Sequence, residues 1–551
     1  GAEVVGILTA NGLAISGVST FTGNINANGN IVGDDSTNIT GINTVGANFY
    51  YGCGGVGSRL FVQDAYRNLI AGANAGLAIT TTFSPGALSN ILLGCHAGSR
   101  IRSQCYTVAI GVNAGKCIAA GSGQDTFVGS NSGQKAGCCG GSGNGNAFFG
   151  FGSGVCGFNP TANTYLGYHA GKGHPDSTGG TGGSCNVAVG YHAASNIRAG
   201  TNNVLLGRYV GASNSTGSNN IAMGNQPLYC NLTGSGNIAL GSQSMEKNIT
   251  GYLNIGISCN AAYNNTTGTF NIAIGHNSLY CNSTSSNNIA IGCLAGYKAT
   301  CGPNVMIGAA AGCLLNGCRN VMMGQGAGTL STEATGNTFV GYAAGACNSI
   351  GDNNTSIGCK AGIGNTTGNS NISIGYASGS QSCGSTGAGN LSIGHYSAKN
   401  ISSGLCNISI GECAGCDLTS GGCNIAIGQN AGKKFHSSSK NIAIGNGIGI
   451  FSNVTGSSNI MMGDFVARRI TSGAFNTFIG SSAGRYVTSA SNNIGVGAQS
   501  SYCIGTGDHN IGLGACSNRC LTTASDNIAI GRCSGYCNTT KHGNIAIGNS
   551  A

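Results

Sequence analysis

The sequence predicts an all-β parallel solenoid, a β-roll, and three observations carry that expectation. A pentapeptide of the type Asn-Ile-Ala-Ile-Gly recurs along nearly the whole chain. An Asn recurs with it in a fixed phase. Gly makes up 101 of the 551 residues, far above the usual ~7% and too many for long helices. With 7% charged residues, 40% apolar residues and only 5 Pro, the composition fits neither a charged disordered chain nor collagen.

Taking the closing Gly of each pentapeptide as a marker, 27 units run from Gly94 to Gly548, and 19 of the 26 intervals are 17 residues long. Ser258 is the one marker that is not Gly, and a weaker unit, Asn68 to Gly72, precedes the series. Repetition at a fixed short period is the signature of stacked supersecondary units. The pentapeptide alternates large and small residues, as in Ile272, Ala273 and Ile274, and its β-branched content reads as one short strand. Stacked coils then pair as parallel strands about 4.8 Å apart, and about 27 of them make a rod of roughly 130 Å. On this reading the Ile columns form the apolar spine, and the small residue between them points to the opposite face, where something must approach closely.

Four residues before the marker stands Asn in 25 of 27 units, among them Asn90, Asn203, Asn220, Asn237, Asn271, Asn288, Asn371, Asn424, Asn441, Asn527 and Asn544; Thr107 and Asp125 are the exceptions. An amide carries both donor and acceptor, so stacked Asn side chains can bond one another or cap the turn backbone. The marker Gly, the Ala-Gly that often follows it and a Thr-Gly or Ser-Gly further on supply the two turns of each coil. Residues 1–66 lack the unit and read as a β-rich stem, leaving 67–551 as the rod. The long intervals 129–150 and 167–190 are expected to project as surface loops.

One coil offers only about two large apolar side chains against a backbone entropy cost of about 1–2 kcal/mol per residue. A lone solenoid would therefore be marginal, and three copies packed through their small-residue strand faces would share a core. A parallel homotrimer is the expected assembly.

The Asn-Ile-Ala-Ile-Gly unit with its Ala-Gly and Thr-Gly turns resembles the left-handed β-roll heads of trimeric autotransporter adhesins. Together with the opening GVSTFTGNINANGNIVGDDSTNITGINTV, it is similar to tail-fibre-like structural proteins of marine tailed phages, the cyanophage type. The resemblance covers nearly the whole chain. It implies a trimeric virion fibre whose partners are its own copies, other virion proteins and host-surface glycan. Phage proteins of this kind often carry a C-terminal self-cleaving chaperone, and autotransporters carry a barrel anchor; neither is recognisable in this sequence, which favours the phage reading.

The 27 Cys are odd in number, and eight share the phase six residues after the marker: Cys117, Cys156, Cys230, Cys281, Cys347, Cys503, Cys520 and Cys537. Cys503, Cys520 and Cys537 are each 17 apart and form a possible ladder, either of disulfides or of inert small thiols. Cys413-Ala-Gly-Cys416 is a lone C-x-x-C without the second knuckle that structural zinc requires. Cys138-Cys139 in the first long loop reads as an inert pair of thiols, and His174 and Asp176 in the second could be metal ligands but are explained more simply as a polar loop tip. Asp34-Asp35 reads as turn chemistry, and Asp508 with Asp526 stand about one period apart without further catalytic signal. No catalytic residue, metal or cofactor is expected. The formal charge of +9 is mild for a long rod; Lys433-Lys434 and Arg468-Arg469 are the local clusters that could meet anionic glycan. Nucleic acid would need a denser basic stripe, and no apolar run of membrane-spanning length or signal peptide is recognisable. The expectation is therefore a non-enzymatic rod for host attachment on a virion. A bacterial surface adhesin or extracellular filament of the same architecture is the alternative, and an ice- or mineral-binding solenoid a third.

Overall fold

The computed structural model describes residues 58–63 (backbone), 67–79, 87–101, 104–118, 123–136, 144–156, 160–173, 183–379 and 381–551. Two units divide the chain, 1–48 and 49–551, and the first lies outside the described residues. So do most of the expected stem, Asp34-Asp35, Cys138-Cys139, His174 and Asp176.

All the regular structure described is β, with no helix. Strand β1 (Ser58–Gln63) pairs antiparallel with β2 (Leu69–Ala73). From β2 onwards each strand pairs in parallel with the next, through to β29 (Ile545–Ile547). The register is fixed by the repeat: in β13 (Ile272–Ile274) and β14 (Ile289–Ile291), Ile lies on Ile, Ala on Ala and Ile on Ile. The fold is thus a parallel β-solenoid with a period of about 17 residues and about 25 turns, a stack of roughly 120 Å at the inter-strand spacing. That is fewer turns than the 27 units of the sequence. A unit becomes a turn only when its return segment closes it. The last unit stops at Ala551, just after its strand.

The orientation of the strand is the main correction to the sequence reading. The central small residue points into the coil: Ala239, Ala273, Ala290 and Ala443 are fully buried. The flanking Ile columns face outwards, and Ile221 and Met223 are 44% and 50% exposed. A 17-residue coil is a flattened loop whose two walls lie close together, so it admits little side-chain volume per turn. In the strands the large β-branched residues flank the small centre and lie outside, whereas Ile448, Ile470 and Ile504, which are not in strands, are buried.

In several coils one wall gives up the volume that the other takes. Where the central strand residue is Phe, as at Phe339 and Phe478, the residue six positions on is Gly. A Cβ added at Gly345 or Gly484 would lie 2.7 or 2.8 Å from the ring. Where the strand centre is Gly256, Ser244 and Met245 of the preceding coil take the space, 2.5 and 3.2 Å from a would-be Cβ. The marker Gly is fixed by backbone rather than by side chains. Gly275 adopts φ 131°, and a Cβ there would meet the carbonyl of Gly292 in the next coil at 2.5 Å. Only glycine combines that φ with that approach.

Candidate functional site

Within the stack, the Asn column is a hydrogen-bond ladder that runs unbroken from Asp125 to Asn544. Asn220 donates both its backbone N–H and its side-chain amide to Oδ1 of Asn203, at 3.0 and 3.1 Å, and its other amide proton goes to the carbonyl of Gly234 at 2.9 Å. Its own Oδ1 accepts from Asn237 in turn. Asn90, Asn271, Asn288, Asn371, Asn424, Asn441, Asn527 and Asn544 each donate to the Asn one coil back or to the returning chain. Every polar atom of the amide is thereby used inside a buried column. Thr107 keeps only the backbone bond to Asn90, and its hydroxyl has no partner. Asp125 accepts two bonds from Asn146, yet burial pushes its carboxyl up to about 6.

A second ladder went unrecognised in the sequence. Asn214, Asn231, Asn248, Asn265 and Asn282 are buried, each amide bonded to the Asn one coil back or to the carbonyl three residues ahead. Its signal in the sequence is the Asn-x-Thr-Gly series, as in Asn231-Leu-Thr-Gly and Asn248-Ile-Thr-Gly. Both ladders are internal scaffolding, so interaction has to come from what lies outside them.

Three features occupy the outside. The first is the pair of Ile, Val and Leu columns described above, running along the whole sheet. The second is an aromatic stack in which Phe151, Tyr168 and Tyr191 lie ring on ring at 5.4 and 5.3 Å with interplanar angles of 12° and 9°. His169 and His192 stack beside it at 5.2 Å. Burial first, then the charge of Lys172, holds both imidazoles below the usual His range. Because these rings face one another along the axis, the stack offers chiefly edges to a ligand.

The third is a ladder of Arg and aromatic side chains near the C-terminal end. Five residues after successive markers stand Arg468, Arg485, Tyr502, Arg519 and Tyr536, with Arg469 and Tyr486 one step further. The Arg468 guanidinium lies 4.1 Å from the Phe451 ring centre and 5.2 Å from Phe465. Arg469 lies 5.0 Å from Tyr486, and Arg519 sits 5.3 Å from both Tyr502 and Tyr536. Arg519 also donates to the Tyr536 hydroxyl. Such contacts are worth about 0.5–1 kcal/mol each at exposed sites. The expected cluster Arg468-Arg469 belongs to this ladder. Lys434 of the other cluster is instead neutralised by Asp417 at 2.8 Å.

The cysteines divide. Cys301–Cys318 and Cys347–Cys383 are disulfides, at separations of 17 and 36 residues, and Cys117 is also bonded. Cys503, Cys520 and Cys537 are free thiols in neighbouring coils; burial first, then the adjacent Cys520, pushes the Cys503 thiol up. Cys416 is buried and pushed up to about 12, by burial and then by Cys413 and Asp417, which suppresses thiolate reactivity. Asp508 accepts from the backbone of Ser491, while Asp526 lies 3.9 Å from His509, so the two carboxylates serve turns and surface pairs. Among the described residues no three His, Cys, Asp or Glu converge as metal ligands, and no helix is long and apolar enough to cross a membrane.

No protein-family model, curated protein or solved structure matches the chain.

Proposed function

We propose that the chain is the rod of a homotrimeric structural fibre, carried on a virion and used for host attachment rather than catalysis. The observation that carries this reading is the pair of apolar columns left outside the coil. They persist through most of the stack, and a continuous apolar face of that extent marks an interaction surface. Three parallel copies related by a three-fold axis would cover it by laying Ile column against Ile column, in the same register that each chain already keeps within itself. The packing face therefore changes from the one the sequence suggested: the Ile side meets the neighbours, because the Ala side is already closed by its own coil.

Sedimentation equilibrium tests the assembly. The expected result is three times the monomer mass at micromolar concentration, reduced to the monomer by Ile289→Lys with Ile291→Lys. A stable monomer in the unaltered chain would sink the trimer. Immunogold labelling of purified virions tests the placement; label confined to bacterial cells would move the rod to the alternative, a cell-surface adhesin.

A further inference from the structure

The geometry points to the Arg and aromatic ladder between Phe451 and Tyr536 as a binding site for a linear polysaccharide carrying carboxylates. The inference rests on the attachment reading above and names what the rod attaches to. Four guanidinium groups, Arg468, Arg469, Arg485 and Arg519, gather on one turn of three coils, with the Tyr502 coil between the last two. None has an ion-pair partner among the described residues, whereas Lys434 on a neighbouring stretch does. They are held by ring faces instead.

A guanidinium laid against a ring is fixed in position and keeps in-plane N–H groups for a planar oxyanion, which it can grip in a fork; Arg519 commits one of them to the Tyr536 hydroxyl. Ordering has thus already been supplied by the fold, which lowers the entropy lost on binding. The ladder also repeats along the axis at the coil spacing of about 4.8 Å. That advance is close to the length of one sugar in an extended glycan, so carboxylates on successive or alternate sugars meet Arg468, Arg485 and Arg519 in turn. Single-stranded nucleic acid fits less well. Its bases need free aromatic faces, and here guanidinium groups lie over those faces. Duplex DNA presents a charge every ~1.7 Å of axis, which four cations match poorly.

The test is biolayer interferometry of the full-length chain on immobilised polygalacturonate, with neutral dextran and oligo-dT as comparators. Expected are binding that weakens as salt rises, and a loss of about tenfold or more in Arg485→Gln with Arg519→Gln. Arg485→Lys with Arg519→Lys should lose less, since charge survives but the fork does not. Lys434→Gln should change nothing. Should the Gln pair unfold by circular dichroism, the Lys pair decides. The inference is overturned if polygalacturonate does not bind, if the ladder variants bind as the parent does, if dextran binds equally, or if oligo-dT binds more tightly. These outcomes are independent of the sedimentation result, so a trimer without polysaccharide affinity would discard the ligand and leave the fibre standing.

Discussion

Two stretches of the same rod fill their interiors in opposite ways. In the coils around Met306, Met322 and Phe339, large apolar side chains occupy the strand centre and the facing wall supplies Gly. In the coils immediately after, Ser356, Ser373 and Ser392 take that centre, and the wall is small there as well, with Gly362 and Gly379. The buried apolar cluster that begins at Ile70 ends at Ala344, and the next begins only at Ala398. Ser378 and Ser397 turn their hydroxyls to the carbonyls of Ser392 and Ser409, both at 2.7 Å. The backbone ladder runs unchanged through both stretches, so the coil geometry is set by hydrogen bonding and turns, while the filling decides how strongly a coil is held. The disulfide Cys347–Cys383 spans the Ser356 and Ser373 coils of the serine stretch.

The largest expected effect lies in the well-filled region. Phe339→Ala leaves Gly345 facing an empty space and should destabilise by about 3–5 kcal/mol. Chemical denaturation checks it, and a loss below about 1 kcal/mol would mean that the walls collapse freely. In the serine stretch, Cys347→Ser should cost about 2–4 kcal/mol, with amide exchange rising between residues 356 and 379 before it rises around Phe339. Uniform exchange in both stretches would remove the contrast.

Asp125 extends the comparison to a charged interior group. Its carboxyl, raised to about 6 from 3.8, is favoured protonated in the folded state. The resulting cost is absent below pH 3.8, grows as pH rises towards 6 and is complete above it. Asp125→Asn should therefore stabilise by up to about 3 kcal/mol at pH 7 and by nothing near pH 3.5. Melting curves at the two pH values check this, and an equal gain at both would show that packing, not ionisation, was responsible. The smallest effect is sought in Ser373→Met. If the serine coil is under-filled, a larger side chain opposite Gly379 should add about 1 kcal/mol; destabilisation would show that the walls have already closed.

The strand, the period and the Asn column were legible from sequence because each depends on local chemistry repeated at a constant interval. Ile on either side of Ala makes a strand wherever it is placed, and an amide that recurs every turn meets its own copy. The facing of that strand was not legible. Alternation assigns residues to two faces without saying which is inside, and hydrophobicity alone favours the wrong one. The Arg ladder escaped recognition beyond Arg468-Arg469, since Arg485, Tyr502 and Arg519 share a phase but not an identity. The second Asn ladder was hidden in turns that look solvated.

What the sequence determined by itself was the architecture: an equal spacing of matched residues leaves the backbone one economical way to satisfy its donors and acceptors, by stacking. What only the tertiary structure decided was the assignment of inside and outside, because that depends on how closely the return segment approaches the strand. With the walls this near, most coils admit Ala, Ser or Gly at the strand centre. A Phe or Met such as Phe339 or Met322 enters where the facing wall is Gly, and the flanking Ile columns are left on the surface.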